Sequence, residues 1–231
     1  MSWTDLKSVE QFKKLRDFYN IKTFVETGTF RGVNAEVHSQ NFDKVITCEL
    51  MPEYYDIAIK RLSKYNNVFC ILGNSIEFLN NVKKSTHKND IIFIYLDAHF
   101  YDPSLSPDDR WVVLKELKSL ADFGDCVIAI HDFDNGELGH LNYDGQNLNF
   151  DLLKENLYKV NPDFHYYTNT RYGCNIVTEE LIRQNYLNVE IDENIKDTLN
   201  FVWSSDQKTY RGILYCTPTK LDLNNFELRK L

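Results

Sequence analysis

The sequence predicts an α/β fold in which a doubly wound, mostly parallel sheet carries helices on both faces. Two observations predict it. Five short apolar runs rich in β-branched residues occupy 23–26, 44–49, 68–72, 91–96 and 126–130, and helical periodicity separates each from the next. A third observation adds chemistry: every one of the five runs closes on polar or acidic residues. A chain of 231 residues has room for one such unit with an ample core. We expect a single domain over 1–231, divided into an N-terminal helix (1–20), a core (21–180) and a C-terminal extension (181–231).

Leu6, Val9, Phe12, Leu15, Phe18 and Tyr19 stand at helical spacing, and Thr4 is a suitable N-cap. This helix is expected to pack on the sheet edge or to close over a ligand. The first strand ends at Glu26 and breaks into a turn containing Gly28 and Gly32, ahead of a helix over 33–40. The second strand, 44–49, leads to a helix over 52–65 with Pro52 in its first turn, where a missing N–H is harmless. The third, 68–72, precedes a helix over 75–84. The most apolar run, 91–96, is joined to the fifth, 126–130, by a loop and a helix over 108–123.

Beyond Asp132 the pattern changes. Residues 134–149 are rich in Asn, Asp and Gly and read as a long loop, of the kind that forms lids. A helix over 152–160 follows. Strands over 164–168 and 175–178 flank Arg171-Tyr172-Gly173 and suggest an antiparallel pair, with a helix over 179–187 after them. The apolar run 213–216 has no evident place.

The totals narrow the partners. A net charge of −8 disfavours a large nucleic-acid footprint, which needs clustered Lys and Arg. No stretch of about twenty apolar residues exists to span a membrane, and the N-terminus lacks a signal-peptide layout. The five cysteines are odd in number, widely spaced and mostly inside apolar runs. They read as small buried hydrophobes in a reducing compartment, which places the protein in the cytoplasm. The aromatic residues fall mostly at core spacing; Phe100, Tyr101 and Tyr143 instead sit in loops beside the strand ends, where they could line an acceptor pocket.

Ligands of open α/β sheets bind beyond the carboxyl ends of the strands. The first strand runs Thr23-Phe24-Val25-Glu26 and continues into Thr27-Gly28-Thr29-Phe30-Arg31-Gly32. A strand that turns tightly into a helix start gathers backbone N–H groups and a positive helix end. The run lacks the second glycine of a dinucleotide fingerprint. Glu26 would repel a pyrophosphate and welcome an ammonium, which points to a ligand with an amino-acid moiety. Glu49, about 20 residues past Gly28, stands where a carboxylate can accept ribose hydroxyls, or else caps the next helix. Asn74 and Ser75 could reach an adenine edge or serve as the cap of the helix that follows, the latter at least as well for Ser75.

The series Val25-Glu26-Thr27-Gly28-Thr29, Cys48-Glu49-Leu50, Leu72-Gly73-Asn74-Ser75, Tyr95-Leu96-Asp97-Ala98-His99 and Ile130-His131-Asp132 resembles class I S-adenosylmethionine-dependent methyltransferases. More narrowly it is similar to bacterial O-methyltransferases of sugar and secondary-metabolite pathways, including the macrocin group. The resemblance covers 23–132 and implies a Rossmann-like, seven-stranded sheet with an antiparallel last strand. It implies S-adenosylmethionine as cofactor, with Glu26 on the methionine ammonium, Thr27, Gly28, Thr29 and Gly32 around it, Glu49 on the ribose, and Asn74, Ser75 and Asp97 completing the site. It also implies a divalent metal, magnesium or manganese, on Asp97, His131 and Asp132. His131 stands where an acid is common, and an imidazole departs from the all-oxygen shell magnesium prefers. It could be a ligand, a base or a partner that orients a ligand.

The chemistry that follows is methyl transfer to a hydroxyl of a sugar or small metabolite, with His99 and His131 as the candidate bases. Two other readings remain: a nucleotide- or NAD-binding oxidoreductase, against which the missing glycine speaks, and a non-catalytic binding module. The expected partner is a small-molecule or saccharide acceptor, with neither nucleic acid nor membrane, and self-association is left open. His38, His87 and His140 read as surface residues, and His165 as packed.

Overall fold

The structure is a computed structural model that describes residues 6–98, 104–105, 110–136, 142–143, 146–170 and 212–231. Five parallel strands form where the apolar runs predict them: β1 (Thr23–Thr27), β2 (Lys44–Glu49), β3 (Val68–Leu72), β4 (Phe93–Leu96) and β5 (Val127–Ile130). The intervening helices are α2 (Val33–Ser39), α3 (Pro52–Leu62), α4 (Ser75–Ser85) and α5 (Val112–Ser119), after an opening α1 (Leu6–Tyr19). A short hairpin, β6 (Asn142–Tyr143) and β7 (Gln146–Asn147), precedes α6 (Phe150–Val160), and β8 (His165–Asn169), β9 (Leu214–Thr217) and β10 (Leu228–Lys230) end the chain.

The main sheet has the order β10-β8-β9-β5-β4-β1-β2-β3. It therefore has eight strands among the described residues, not the seven expected. The antiparallel part differs most from the sequence reading. β9, from the run that had no assigned place, inserts between β5 and β8 and pairs antiparallel with both. The eighth strand, β10, is added antiparallel on the outside of β8. The segment read as a C-terminal extension thus supplies two strands of the main sheet. Residues 134–149 carry the β6–β7 hairpin where a loop was expected. Thr4, the turn at 171–173, the strand at 175–178 and the helix at 179–187 lie outside the described residues.

Alternation along the strands divides the core into two layers. Phe24, Phe93, Val127 and Tyr215 face α1, α2 and α3, whereas Val25, Ile94, Ile128 and Leu214 face α4, α5 and α6. Contrary to expectation, α1 lies across the middle of its face and not at an edge. Phe12 places its ring 4.6 Å from Phe93, 5.3 Å from Tyr95 and 6.1 Å from Tyr215. His38 is a further correction. It is fully buried, 4.4 Å from the Phe24 ring and stacked on Phe12 at 5.3 Å. Neither ring nitrogen has a hydrogen-bond partner among the described residues, and burial, with the nearby Arg16 charge, lowers its pKa to about 3. His87 is exposed and His165 half-buried, while His140 lies outside the described residues.

Among the described residues no helix is long and apolar enough to cross a membrane.

Candidate functional site

The turn after β1 is pinned to both neighbouring strands. The Gly28 and Thr29 N–H groups each donate to the Cys48 carbonyl at 3.0 Å, and the Asp97 N–H donates to Thr27 Oγ1 at 3.3 Å. Gly28 has φ 81°, and a Cβ there would lie 2.5 Å from the Asp97 carbonyl oxygen. Only glycine meets both conditions. Gly32, also at φ 81°, is the residue that opens α2.

Glu49, at the end of β2, is held by the turn it faces. Its carboxylate accepts from the Phe30 N–H at 2.7 Å and from the Met51 N–H at 2.9 Å. It also lines a cavity of about 210 Å³ together with Met51, Asn74, Ser75, Arg110 and Val112. That is below the roughly 300 Å³ at which whole-ligand pockets begin, so a larger ligand would extend out of it over the turn. Asn74 is the cap of α4, its Oδ1 accepting from the Ile76 N–H at 2.8 Å, and Ser75 is the first helical residue. Of the two candidate caps, Asn74 and not Ser75 is the one that serves, and both also line the cavity.

Glu26 occupies a different level. It is fully buried beneath the turn, where Asn34 Nδ2 and Thr47 Oγ1 each donate to its carboxylate at 2.7 Å. Burial raises its pKa, the Asn34 and Thr47 donors oppose that, and it settles at about 8. Both oxygens are engaged inside the protein, and the residue joins β1, β2 and α2. Thr29, equally buried, has its hydroxyl 2.5 Å from that of Thr47.

On the other side of Gly28, three groups converge at the ends of β4 and β5. His131 Nδ1 lies 3.1 Å from Asp97 Oδ1 and 3.4 Å from Asp132 Oδ2. One potential ligand atom from each residue lies within 4.8 Å of the others. All three residues are buried, and Asp132 holds a positive φ of 55°. Asp97 and Asp132 thus form close charge pairs with the His131 ring. Burial opposes charge on His131, but Asp97 and Asp132 overcome it and raise its pKa to about 10. The imidazole is therefore cationic at neutral pH, with no capacity to take up a proton.

A metal fits this cluster. Two buried carboxylates and one imidazole nitrogen form a mixed donor set that suits manganese better than magnesium; the metal would displace the imidazolium proton, whose charge otherwise compensates the carboxylates.

The fold thus brings Gly28, Glu49, Asn74 and Ser75 to one cavity, with Asp97, His131 and Asp132 beside the turn. Glu26 and Thr29 lie below it. His99, Phe100 and Tyr101, and the side chain of Tyr143, lie outside the described residues. Met51 and Arg110 were missed. Met51 directly follows the strand-end Glu49-Leu50 and could have been anticipated; nothing in the sequence around Arg110 marks it.

No family model matches the sequence, and no curated protein matches it either. Solved structures do match in fold. A Galdieria sulphuraria protein provisionally named a sarcosine dimethylglycine methyltransferase superposes with a TM-score of 0.53 at 12% identity, over 92% of this chain and 85% of that one. The O-methyltransferase TomG of Streptomyces achromogenes, solved with S-adenosylmethionine, gives 0.52 at 12% identity, over 94% and 82%. A Staphylococcus aureus protein provisionally named a caffeoyl-CoA O-methyltransferase gives 0.51 at 16% identity, over 94% and 85%. The chain shares the fold of these three proteins.

Proposed function

We propose that this protein is an S-adenosylmethionine-dependent methyltransferase that methylates a hydroxyl oxygen of a sugar or small metabolite in the cytoplasm. The observation that carries the reading is Glu49. It is fixed by two backbone N–H groups at the rim of a cavity, with its remaining lone pairs available to a ribose diol. Asn74, Ser75 and Met51 would border the adenine, and Gly28 with the start of α2 the methionine part. Glu26 contributes by holding the turn from below, since it is fully buried against Asn34 and Thr47 and does not line the cavity.

The methyl group of a sulfonium is already activated. The work left to this chain is to hold the acceptor oxygen in line with it and to lower the cost of removing the hydroxyl proton. Alignment alone supplies on the order of several kcal/mol. Asp97 and Asp132 lie beside the turn and can orient an acceptor there. A divalent metal held by Asp97, His131 and Asp132 would supply Lewis acidity, lowering the hydroxyl pKa. Without it, His131 carries its own proton and donates to an oxygen instead of accepting from one.

Calorimetry with S-adenosylhomocysteine tests the cofactor. We expect binding by the wild-type protein and a loss of at least tenfold in Glu49→Ala; no binding by folded wild type would overturn the reading. Transfer from a labelled methyl donor to a panel of sugar nucleotides and small hydroxylated acceptors then tests the reaction. Binding without turnover on any acceptor, with manganese present, would favour a non-catalytic module.

A further inference from the structure

Among the described residues the sheet ends on β10 at one side and β3 at the other. The two edges are built differently. β10 presents Arg229 and Lys230 to solvent, charges of the kind that block further strand pairing. β3 reads Val68-Phe69-Cys70-Ile71-Leu72, with no charge, proline or glycine. Phe69, Ile71 and Leu72 are 49%, 44% and 47% exposed. Beside them, on the face toward α4, an open groove of about 540 Å³ is lined by Ile46, Phe69, Ile71 and Phe78. An unprotected apolar edge of this kind is a template for another strand.

We propose that β3 is a self-association edge, through which two copies of this chain pair antiparallel about a two-fold axis at Cys70. The inference rests on the sheet alone and stands whether or not the protein is a methyltransferase. Full overlap of the five-residue strand pairs Val68 with the partner's Leu72 and Phe69 with the partner's Ile71. Cys70 meets the partner's Cys70. Both copies then keep α1, α2 and α3 on one side, because an axis normal to the sheet preserves its faces. Phe69 against the partner's Ile71 is an aromatic and β-branched cross-strand pair, formed twice over the open groove.

Charge supports the same register. Lys44 lies at the N-terminal end of the groove, its ammonium 5.4 Å from the Phe69 ring, and Glu77 in the first turn of α4 at the C-terminal end. Both are exposed. An antiparallel pairing brings each Lys44 toward the partner's Glu77. The contact is isologous, and one such edge per chain closes the assembly at two copies.

Sedimentation of the full chain over a wide concentration range should show a dimer. Ile71→Lys is expected to abolish it while the chain stays folded, with the thermal midpoint that wild type shows when diluted to monomer, because this side chain is half-exposed in the single chain. Lys44→Glu should weaken the dimer at least tenfold, and adding Glu77→Lys should restore it. Paired Cys70 residues would have Cβ atoms about 4.5–5.5 Å apart, so a short bis-maleimide should join two wild-type chains and fail with Cys70→Ser. A wild-type monomer at every concentration overturns the proposal, as does a dimer that survives Ile71→Lys.

Discussion

Two residues behave unlike their neighbours of the same type, and each yields a measurable consequence. Glu49 accepts from the Phe30 N–H of the turn and from the Met51 N–H just ahead of α3. Truncation to Ala should therefore cost about 1–3 kcal/mol of stability from the orphaned donors, in addition to the lost ligand affinity. Urea unfolding reads the first and calorimetry the second. His38 is held neutral, with a pKa lowered to about 3 against 6.5 in an unfolded chain. As pH falls below 6.5 the unfolded chain gains a proton that the folded one refuses, so stability present at neutral pH is lost at about 1.4 kcal/mol per unit down to about pH 3. His38→Phe should flatten that slope between pH 7 and 5, as denaturant midpoints would show. The signal for its burial was present: Ala35, His38 and Phe42 stand at helical spacing on the face that packs on β1. The lack of an expected polar role led to the opposite assignment, and the aromatic character of the ring decides it.

At the scale of elements, the turn is held from outside by α3. Glu36 on α2 is fully buried and accepts from Arg61 at 2.8 Å and from the Tyr65 hydroxyl at 2.7 Å, with Lys64 at 3.1 Å. Arg61 also donates from Nε to the Arg31 carbonyl at 2.9 Å. Lys64 and Tyr65 remain on Glu36 when Arg61 is removed, but Glu36 Oε2 and the Arg31 carbonyl lose their donors, so Arg61→Ala should destabilise the fold by about 1–3 kcal/mol. It should also weaken S-adenosylhomocysteine binding through the displaced turn, which urea titration and calorimetry would separate. The N-terminus of α4 makes a smaller claim: Asn74→Ala should cost about 1 kcal/mol. Most elements were legible because periods of 2 and 3.6 are local properties. The strand β9 was not. Its run, 213–216, has the right composition, but its partners at β5 and β8 are distant in sequence, and no local pattern states which strands a run will join.

For the whole molecule, the parallel half of the sheet and its acidic upper edge could be read from five runs and their last residues. What the runs could not state was depth. Glu26, Glu49 and Asp97 all stand at strand ends, yet Glu26 lies under the turn, two residues short of Gly28, whereas the register sets Glu49 and Asp97 level with Gly28 on the two strands that flank it. The cluster at β4 and β5 makes a prediction of its own. Manganese should bind the wild-type protein and raise its thermal midpoint, whereas Asp97→Asn should lose at least tenfold in metal affinity, read by calorimetry with the metal alone. The position of β9 has a further consequence for biosynthesis. β5 must await a strand that leaves the ribosome long after it, so the nascent chain exposes an open hydrogen-bonding edge in the middle of its future sheet, and a release before Leu214 would leave a polypeptide dependent on chaperones.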